Sequence, residues 1–440
     1  MEDGIFERLR GATPAERARL ILDLIEQHPG RRIDLSTSDA ASGATLTGVD
    51  LPRANLREAG LRGASLRSAN LQGADLKGAD LRGAKLGSAR LEGASLEEAN
   101  LQNADLVTAD LRRAVLSGAN LKGALLEDAD LREANLRFAS LPDAICENAK
   151  MAGADLWGSK LPAAVLAGAD LKGAVFTEAS GEGADFTGAD LRGAAMAKSN
   201  FARGKFAGAD LRGANVAGIN LREAVLRDAK LQELDLSGSD LTAAHFSGAA
   251  LDRTRMRRGQ IGEAIGEELA GDWEGAAQGY LALERSFSSL DDSGACSWAY
   301  RRRRRMEKLT ALKLARLRRG QGHLRPALPY YAKYGRFQFV EWLCDYGESA
   351  SRVLLSLLAL YLIFFVLYLA FGGVRDVSSF RVTRNPLEVA AFTLTAMTGR
   401  LSTKLVPSHA YVEALMALQS LLGIGLTGLL GFVIGNRIKR

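Results

Sequence analysis

Cysteine, histidine and proline are scarce in this chain of 440 residues, which has three Cys, four His and nine Pro. Cys146, Cys296 and Cys344 lie far apart and form no CxxC pair or disulfide framework, as is typical of a reducing compartment. The first residues, MEDGIFERLR, are charged where a secretory signal would be apolar, so we expect no export signal. No metal-ligand cluster, phosphate-binding loop or nucleophile–base pair appears, so we expect neither an enzyme nor a bound metal or cofactor.

Glycine, by contrast, is abundant, with 47 residues, and it belongs to a repeat. From Leu46 to Met256 every fifth residue is apolar except Gly181, and the residue two places earlier is nearly always Ala. A period of five fits neither the 3.6 of an α-helix nor the 2 of a strand. A four-sided coil with one pentapeptide per side would point every Leu and Ala inward and would pair the backbone with the coils above and below.

The repeated pattern A(D/N)LxG resembles the pentapeptide-repeat family, over residues 34–256. That resemblance implies a β-solenoid, a right-handed quadrilateral β-helix. Leu46 to Met256 carries 28 acidic and 26 basic residues, which disfavours imitation of DNA and leaves a spacer, a partner-binding platform or a sensor. The run from Leu156 to Phe206 is the least regular, so we expect a bend or a contact there. Residues 1–33 should form a helical cap, as a helical pair or one broken helix around a helix start at Thr13 and Pro14.

Residues 257–320 lose the fivefold register and predict an α-helical linker. Its segments GDWEGAAQGYLALERSF and CSWAYRRRRRMEKL resemble a tetratricopeptide-type helix pair. Residues 257–440 hold 25 basic and 15 acidic residues, and the basic tract consists of Arg301, Arg302, Arg303, Arg304 and Arg305. The tract either retains this end in the cytoplasm or faces anionic lipid, and no motif for nucleic acid accompanies it.

Two uncharged runs, Val353 to Phe371 and Ala414 to Asn436, reach the roughly 20 apolar residues that a membrane-spanning helix needs. Residues 321–350 precede them and are rich in aromatic side chains, which suits the membrane interface. Between the two runs, Val389 to Gly399 is apolar but too short to span, and Asn385 and Pro386 are a suitable N-cap and first residue for a half-helix. Irregular backbone at membrane depth must be buried in protein or line water, so residues 351–440 predict a pore or a substrate cavity.

The segments AAFTLTAMTGRLST and GIGLTGLLGFVIGNRIKR resemble the two-transmembrane pore-loop module of the potassium-channel superfamily, which implies a homotetramer. The pore and filter positions implied by that resemblance are Thr393, Thr395, Ala396, Met397, Thr398, Gly399 and Arg400. Met397 replaces a filter glycine and Arg400 replaces an acidic mouth residue, so we expect an anion-preferring or poorly selective pore. The three threonines either line the constriction with hydroxyls or pack behind it.

Gly423, Gly425, Gly428 and Gly431 either form a gating hinge or allow close helix packing. We expect the chain to lie in the plasma (inner) membrane with both termini in the cytoplasm. Two functions remain open. One is an ion channel that contacts lipids and permeating ions and carries a cytoplasmic rod for a protein partner or ligand. The other is a membrane-tethered scaffold without conduction, and planar-bilayer recording would separate the two.

Overall fold

The computed structural model describes residues 12–27, 43–321, 324–371, 373–379, 381–399 and 404–438. It forms two compact units, Met1–Ala299 and Tyr300–Arg440. The boundary falls inside the segment 257–320 that the sequence groups as one linker. Of the predicted cap at residues 1–33, only residues 12–27 are described.

The helices and strands are numbered in chain order. In the first unit, α1 is Pro14–Gln27, α2 is Arg258–Ile261, α3 is Gly266–Leu269 and α4 is Trp273–Ser289. Helix α5, Ser293–Gly320, begins in the first unit, and α6, Leu324–Cys344, is followed by a 3₁₀ turn at Asp345–Gly347. The remaining elements are α7, Ala350–Phe371; β1, Val374–Asp376; α8, Pro386–Met397; β2, Leu405–Pro407; and α9, Ala410–Ile438.

Helix α1 begins where the sequence predicts. The Thr13 hydroxyl accepts a hydrogen bond from the Glu16 backbone N–H, and the Glu16 carboxylate accepts the Thr13 N–H at 2.8 Å. Such a reciprocal pair is a capping box, which satisfies backbone donors that a helix start would otherwise leave unpaired. Pro14 occupies the first helical position, where its missing N–H costs nothing.

The repeats form the four-sided rod that the period of five predicts. Parallel bridges join residues 20 apart, from Thr45 and Ser65 at one end to Asp235 and Arg255 at the other, so each coil contains four pentapeptides. The Leu and Ala positions are buried throughout, as at Ala74 and Leu76. The backbone hydrogen bonds therefore run between coils, and the apolar side chains fill the interior.

Each side of a coil ends in a tight turn that explains the remaining letters of the repeat. In one such turn the Ala74 N–H donates to the Leu71 carbonyl at 3.0 Å, and Gly73 between them has a φ of 64°. A left-handed conformation at this position favours Gly. The Asp or Asn before the Leu accepts the first N–H of the turn, as Asp110 does from Arg112 at 3.3 Å. The repeat is therefore a turn signal as well as a packing signal.

Gly181 is the one break in the apolar series, and a side chain from the next coil fills the space that its missing side chain leaves. A Cβ placed on Gly181 would lie 2.7 Å from the ring of Phe201. Phe201 in turn packs edge-to-face against Phe176 and Phe186. The bridges keep the same register across this run, so the bend predicted between Leu156 and Phe206 has no counterpart in the backbone pairing. The irregular residues repack inside the coil instead.

The series of backbone bridges between coils is interrupted at one place within residues 43–256. Asn215 and Asp235 are not bridged, although their neighbours along the rod are. Leu234 occupies the inward position that Ala usually holds, directly over Ala214 in the preceding coil.

Short helices cover the last coil of the rod. The Gly266 N–H donates to the Ala244 carbonyl at 2.9 Å, and the buried Glu267 carboxylate accepts the Ser247 N–H at 2.6 Å. Burial raises the pKa of Glu267 and lowers the pKa of His245, whose Nδ1 lies 3.8 Å from that carboxylate. These contacts close an edge that would otherwise expose unpaired backbone groups.

Candidate functional site in the apolar helical hairpin

Two helices of the second unit are long and apolar enough to cross a membrane, and they are joined through a short ribbon. The candidate spans are Ala350–Phe371 and Ala410–Gly435. Strands β1 and β2 pair antiparallel, with Val374 opposite Pro407 and Asp376 opposite Leu405. Helix α8 therefore lies between the two strands of this ribbon along the chain.

Helix α8 begins as the sequence predicts. The Asn385 side chain accepts the Leu387 N–H at 3.1 Å, and Pro386 is the first helical residue. The helix has 12 residues, which corresponds to about 18 Å at 1.5 Å per residue and is too short to cross a bilayer. It ends at Met397, and Gly399 follows with a φ of 72°.

Side-chain hydrogen bonds link α7 to α9 and α9 to α8. The Tyr368 hydroxyl of α7 donates to the side-chain carbonyl of Gln419 at 2.9 Å, and the Gln419 amide donates to the Thr393 carbonyl at 2.9 Å. One turn of α8 further, the Ser420 hydroxyl donates to the Ala396 carbonyl at 2.6 Å. Gln419 and Thr393 are fully buried, so these bonds satisfy polar groups that have no access to water.

The three threonines of the predicted filter turn their hydroxyls onto their own helix. Thr393 donates to the Val389 carbonyl at 2.8 Å, Thr395 to Phe392 at 2.9 Å and Thr398 to Thr395 at 2.9 Å. Thr393 is buried, whereas Thr398 is exposed. Thr393 is therefore packed inside the hairpin of a single copy, whereas Thr398 is exposed there. Arg400 lies outside the described residues.

The four glycines assigned to a hinge differ in their surroundings. A Cβ on Gly423 would lie 2.3 Å from the Met397 carbonyl oxygen, so only Gly lets α9 approach the end of α8 this closely. A Cβ on Gly425, Gly428 or Gly431 would meet no atom of the described residues within 4 Å. Gly423 is therefore a packing residue, and the other three lie on an open face of α9.

The basic tract on α5 makes ion pairs within its own unit. Arg301 lies 3.3 Å from the Asp345 carboxylate, and Arg305 lies 3.1 Å from Glu341. Arg303 and Arg304 both pair with Glu307, at 3.2 and 3.0 Å. Four of the five arginines predicted to face lipid are therefore directed at protein carboxylates, which reduces the charge available to a membrane surface.

The turn between α6 and α7, Asp345–Gly347, forms a strained joint that we term the elbow. Its φ angles are 47° at Asp345, 61° at Tyr346 and 90° at Gly347. Left-handed backbone at two successive non-glycine residues costs on the order of 1–2 kcal/mol each. Asp345 is buried and also lies 3.8 Å from Arg352 at the start of α7. Ion pairs from α5 and α7 thus hold the elbow in place.

The elbow also lies beside the far end of α9. A Cβ on Gly347 would be 3.9 Å from the Phe432 ring, and Cys344, Val353 and Val433 form one buried cluster. Gln419, Glu341 and Asp345 were not singled out from the sequence. A signal was available for each: Gln419 is a polar residue in an uncharged run, and Glu341 and Asp345 are carboxylates in a segment otherwise rich in aromatics.

Comparison with known proteins identifies the rod. The family model for pentapeptide repeats matches the chain in 8 copies, at residues 42–78, 74–113, 109–145, 129–166, 143–177, 159–196, 182–218 and 219–258. No curated protein matches the chain.

Several solved structures are similar to it. HetL, a pentapeptide repeat protein involved in heterocyst differentiation regulation in the cyanobacterium Nostoc, is 34% identical, with 43% of this chain and 83% of HetL covered and a TM-score of 0.36. QnrB1, a plasmid-mediated fluoroquinolone resistance protein, is 20% identical, with 43% and 96% covered and a TM-score of 0.27. A protein of the Arabidopsis thaliana thylakoid lumen is 27% identical, with 31% and 68% covered and a TM-score of 0.14.

Proposed function

Since the chain belongs to the pentapeptide-repeat family, we propose that its rod is the partner-binding or sensing domain of an oligomeric membrane ion channel. The pore is built from α7, α8 and α9 of several copies, with a homotetramer as the expected assembly. The protein lies in the plasma (inner) membrane with both termini in the cytoplasm, and it contacts lipids and permeating ions.

The observation that carries this proposal is the depth at which α8 ends. Its last residue, Met397, lies against Gly423, which is 13 residues from the start of α9 at Ala410. At 1.5 Å per residue this is about 20 Å along a candidate span of about 39 Å, Ala410–Gly435. A half-helix that stops midway through a span places Thr398 and Gly399 at membrane depth, where such backbone must line water or be buried.

Charge near the ribbon supports an anion preference. Arg375, Arg381 and Arg384 are exposed between α7 and α8, and Lys404 is exposed next to β2. Asp376 and Glu388 are the acidic residues of the sequence between residues 373 and 409, so this end of the hairpin is basic. A ring of such residues in an oligomer attracts anions and repels cations.

The elbow provides a route for control. It joins α6 to the first span and touches the end of α9 farthest from the ribbon, so a movement of α5 and α6 reaches the second span through Asp345–Gly347. Two packed arrangements of this joint would serve as closed and open states. Its ion pairs are the contacts that such a movement exchanges.

One observation favours the alternative of a non-conducting scaffold. The Ala396 carbonyl accepts a hydrogen bond from Ser420, and the Met397 carbonyl is packed against Gly423. In potassium-type filters, backbone carbonyls point at the ions. In a single copy of this chain, the Ala396 and Met397 carbonyls are instead turned towards α9. A hairpin that anchors and oligomerises the rod needs no more than this packing.

Single-channel recording from the purified full chain in planar bilayers, with asymmetric KCl, tests the proposal. We expect unitary currents that reverse towards the chloride equilibrium potential, and we expect Arg400→Glu to shift the reversal towards potassium. Arg285→Glu is the control, because it reverses an equal exposed charge on α4, outside the hairpin. Strong potassium selectivity, or an Arg400→Glu reversal equal to the parent's, would contradict an anion pore, and silence at every voltage would favour the scaffold.

A further inference from the structure

One face of the rod carries aliphatic side chains where the repeat normally places polar ones. Leu125, Ile145 and Val165 occupy the outward position before the buried residue of each repeat, and bridges connect them in succession. Each is half-buried, while the neighbours Ala124 and Leu126 are fully buried. Within residues 43–256 no other face has two Leu, Ile or Val residues in succession at this position. We term these three residues the aliphatic ladder.

Carboxylates lie beside the ladder without cationic partners. Glu127, Asp128 and Glu147 follow it on the same face, and none of them forms an ion pair with any residue that the structure describes. Glu127 and Glu147 occupy equivalent positions in successive coils, an arrangement of like charges that is unfavourable. The Oε2 atom of Glu127 is buried and lacks a hydrogen-bond donor in the described chain. A buried acceptor of this kind costs on the order of 1–3 kcal/mol.

Several other carboxylates of the rod, by contrast, have cationic partners. Asp110 and Asp190 are each held by the arginine two residues on, at 2.7 Å. The next carboxylates along the same face, at the two ends of the ladder, are also paired, Asp105 with Arg67 at 2.9 Å and Asp185 with Lys205 at 3.2 Å. Half-buried aliphatic residues and unpaired acids therefore coincide on two successive coils, those of Leu125 and Ile145.

We propose that this face binds a cationic amphipathic helix of a partner protein. The ladder spans two coil spacings, about 9.6 Å, and residues i and i+7 of a helix are about 10.5 Å apart. Apolar residues at i, i+3 and i+7 of the partner would cover Leu125, Ile145 and Val165. Lysines or arginines beside them would pair with Glu127 and Glu147 and would supply the donor that Glu127 lacks. Anionic lipid, nucleic acid and the same face of a second copy all carry the wrong charge.

The test measures binding of a fluorescent synthetic helix with leucine at i, i+3 and i+7 and lysines on both sides. The full chain in zwitterionic nanodiscs binds the peptide, and empty nanodiscs provide the background. Ile145→Asn should weaken binding at least about tenfold. Asn already occupies the same position at Asn120 and Asn135, so the fold tolerates it. Val115→Asn is the matched control, because Val115 is a lone aliphatic residue at this position on another face.

The charge requirement is tested separately. The double variant Glu127→Gln/Glu147→Gln should weaken binding and reduce its salt dependence, whereas Glu98→Gln/Glu178→Gln should not. Equal binding by Ile145→Asn and Val115→Asn, or equally tight binding of an oligolysine without leucines, would overturn the proposal. It deepens the partner-binding part of the proposed function, and because the readout is peptide binding, its failure is distinguishable from a failure of conduction.

Discussion

The side-chain amide of Gln419 donates a 2.9 Å hydrogen bond to the main-chain carbonyl of Thr393, deep between α8 and α9. Gln419→Leu would remove this bond and the acceptor of the Tyr368 hydroxyl, so we expect a loss of about 1–2 kcal/mol in the free energy of unfolding. Thermal unfolding of the detergent-purified chain measures it. Leu418→Ala, at an exposed neighbour, is the control, and an equal effect of both variants would contradict a specific role for the amide.

Gly423 and Gly425 form a matched pair on α9. Gly423→Ala would place a methyl group 2.3 Å from the Met397 carbonyl oxygen, whereas Gly425→Ala would meet no described atom within 4 Å. We expect Gly423→Ala to destabilise the hairpin by about 1–3 kcal/mol, whereas Gly425→Ala should not lower its unfolding temperature, because Ala has the higher helix propensity. Unfolding temperature and oligomer size should be measured together, since an effect of Gly425→Ala on size alone would place that face between subunits.

Asp345 allows the charge of the elbow to be changed without disturbing its backbone. Asn tolerates the left-handed conformation as well as Asp does, so Asp345→Asn removes the ionic contacts with Arg301 and Arg352 and keeps the backbone. We expect a coupling energy of about 1 kcal/mol between Asp345→Asn and Arg301→Gln in a double-mutant cycle of thermal stability. Strictly additive effects would show that the 3.3 Å pair contributes nothing.

Glu267 should make the stability of the rod's covered end depend on pH. Burial raises its pKa above the ordinary 4.5, so the folded chain holds the proton more tightly than the unfolded chain. This contribution to stability is complete below about pH 4.5 and is lost as the pH rises through the folded pKa. Glu267→Gln should therefore gain unfolding temperature over the parent as the pH is raised from 4.5 to 8.

The neighbouring groups have to be controlled in that measurement. The pKa of His245 is lowered by burial and by Arg227, so its contribution has the opposite sign and is lost as the pH falls. His245→Gln should accordingly gain stability over the parent at low pH. A constant difference between Glu267→Gln and its parent across the range would refute the assignment to Glu267.

Gly181 and Phe201 should behave as one packing unit. Gly181→Leu restores the repeat pattern but puts its Cβ 2.7 Å from the Phe201 ring, so we expect it to destabilise the rod by about 1–3 kcal/mol. Adding Phe201→Leu restores the Leu-on-Leu stacking of other coils and should recover most of the loss. Denaturant unfolding of the four proteins in the cycle measures the coupling, and independent effects would show that the ring does not fill the glycine's space.

The sequence alone predicted the rod in detail, because a strict local repeat leaves few alternatives. The repeat has a period of five, small residues at one inward position, turn-forming residues at another position and Gly where φ is positive. A chain with this pattern can bury its apolar residues in only one kind of coil. The start of α8 at Asn385 and Pro386 was also predictable, since an N-cap acts within one helical turn. The two apolar runs were visible for the same reason, that composition over about 20 residues is a local property.

The tertiary structure decided what depends on residues far apart in the chain. No local rule distinguishes Gly423, which α8 approaches, from Gly425, which is open. Likewise, nothing near Arg301 in the sequence shows that Asp345 will lie 3.3 Å away. The aliphatic ladder is spread over residues 125–165 and becomes one surface only because each coil takes 20 residues. Sequence determines the coil through local turns and periodicity, whereas contacts between distant residues depend on packing that only the folded chain specifies.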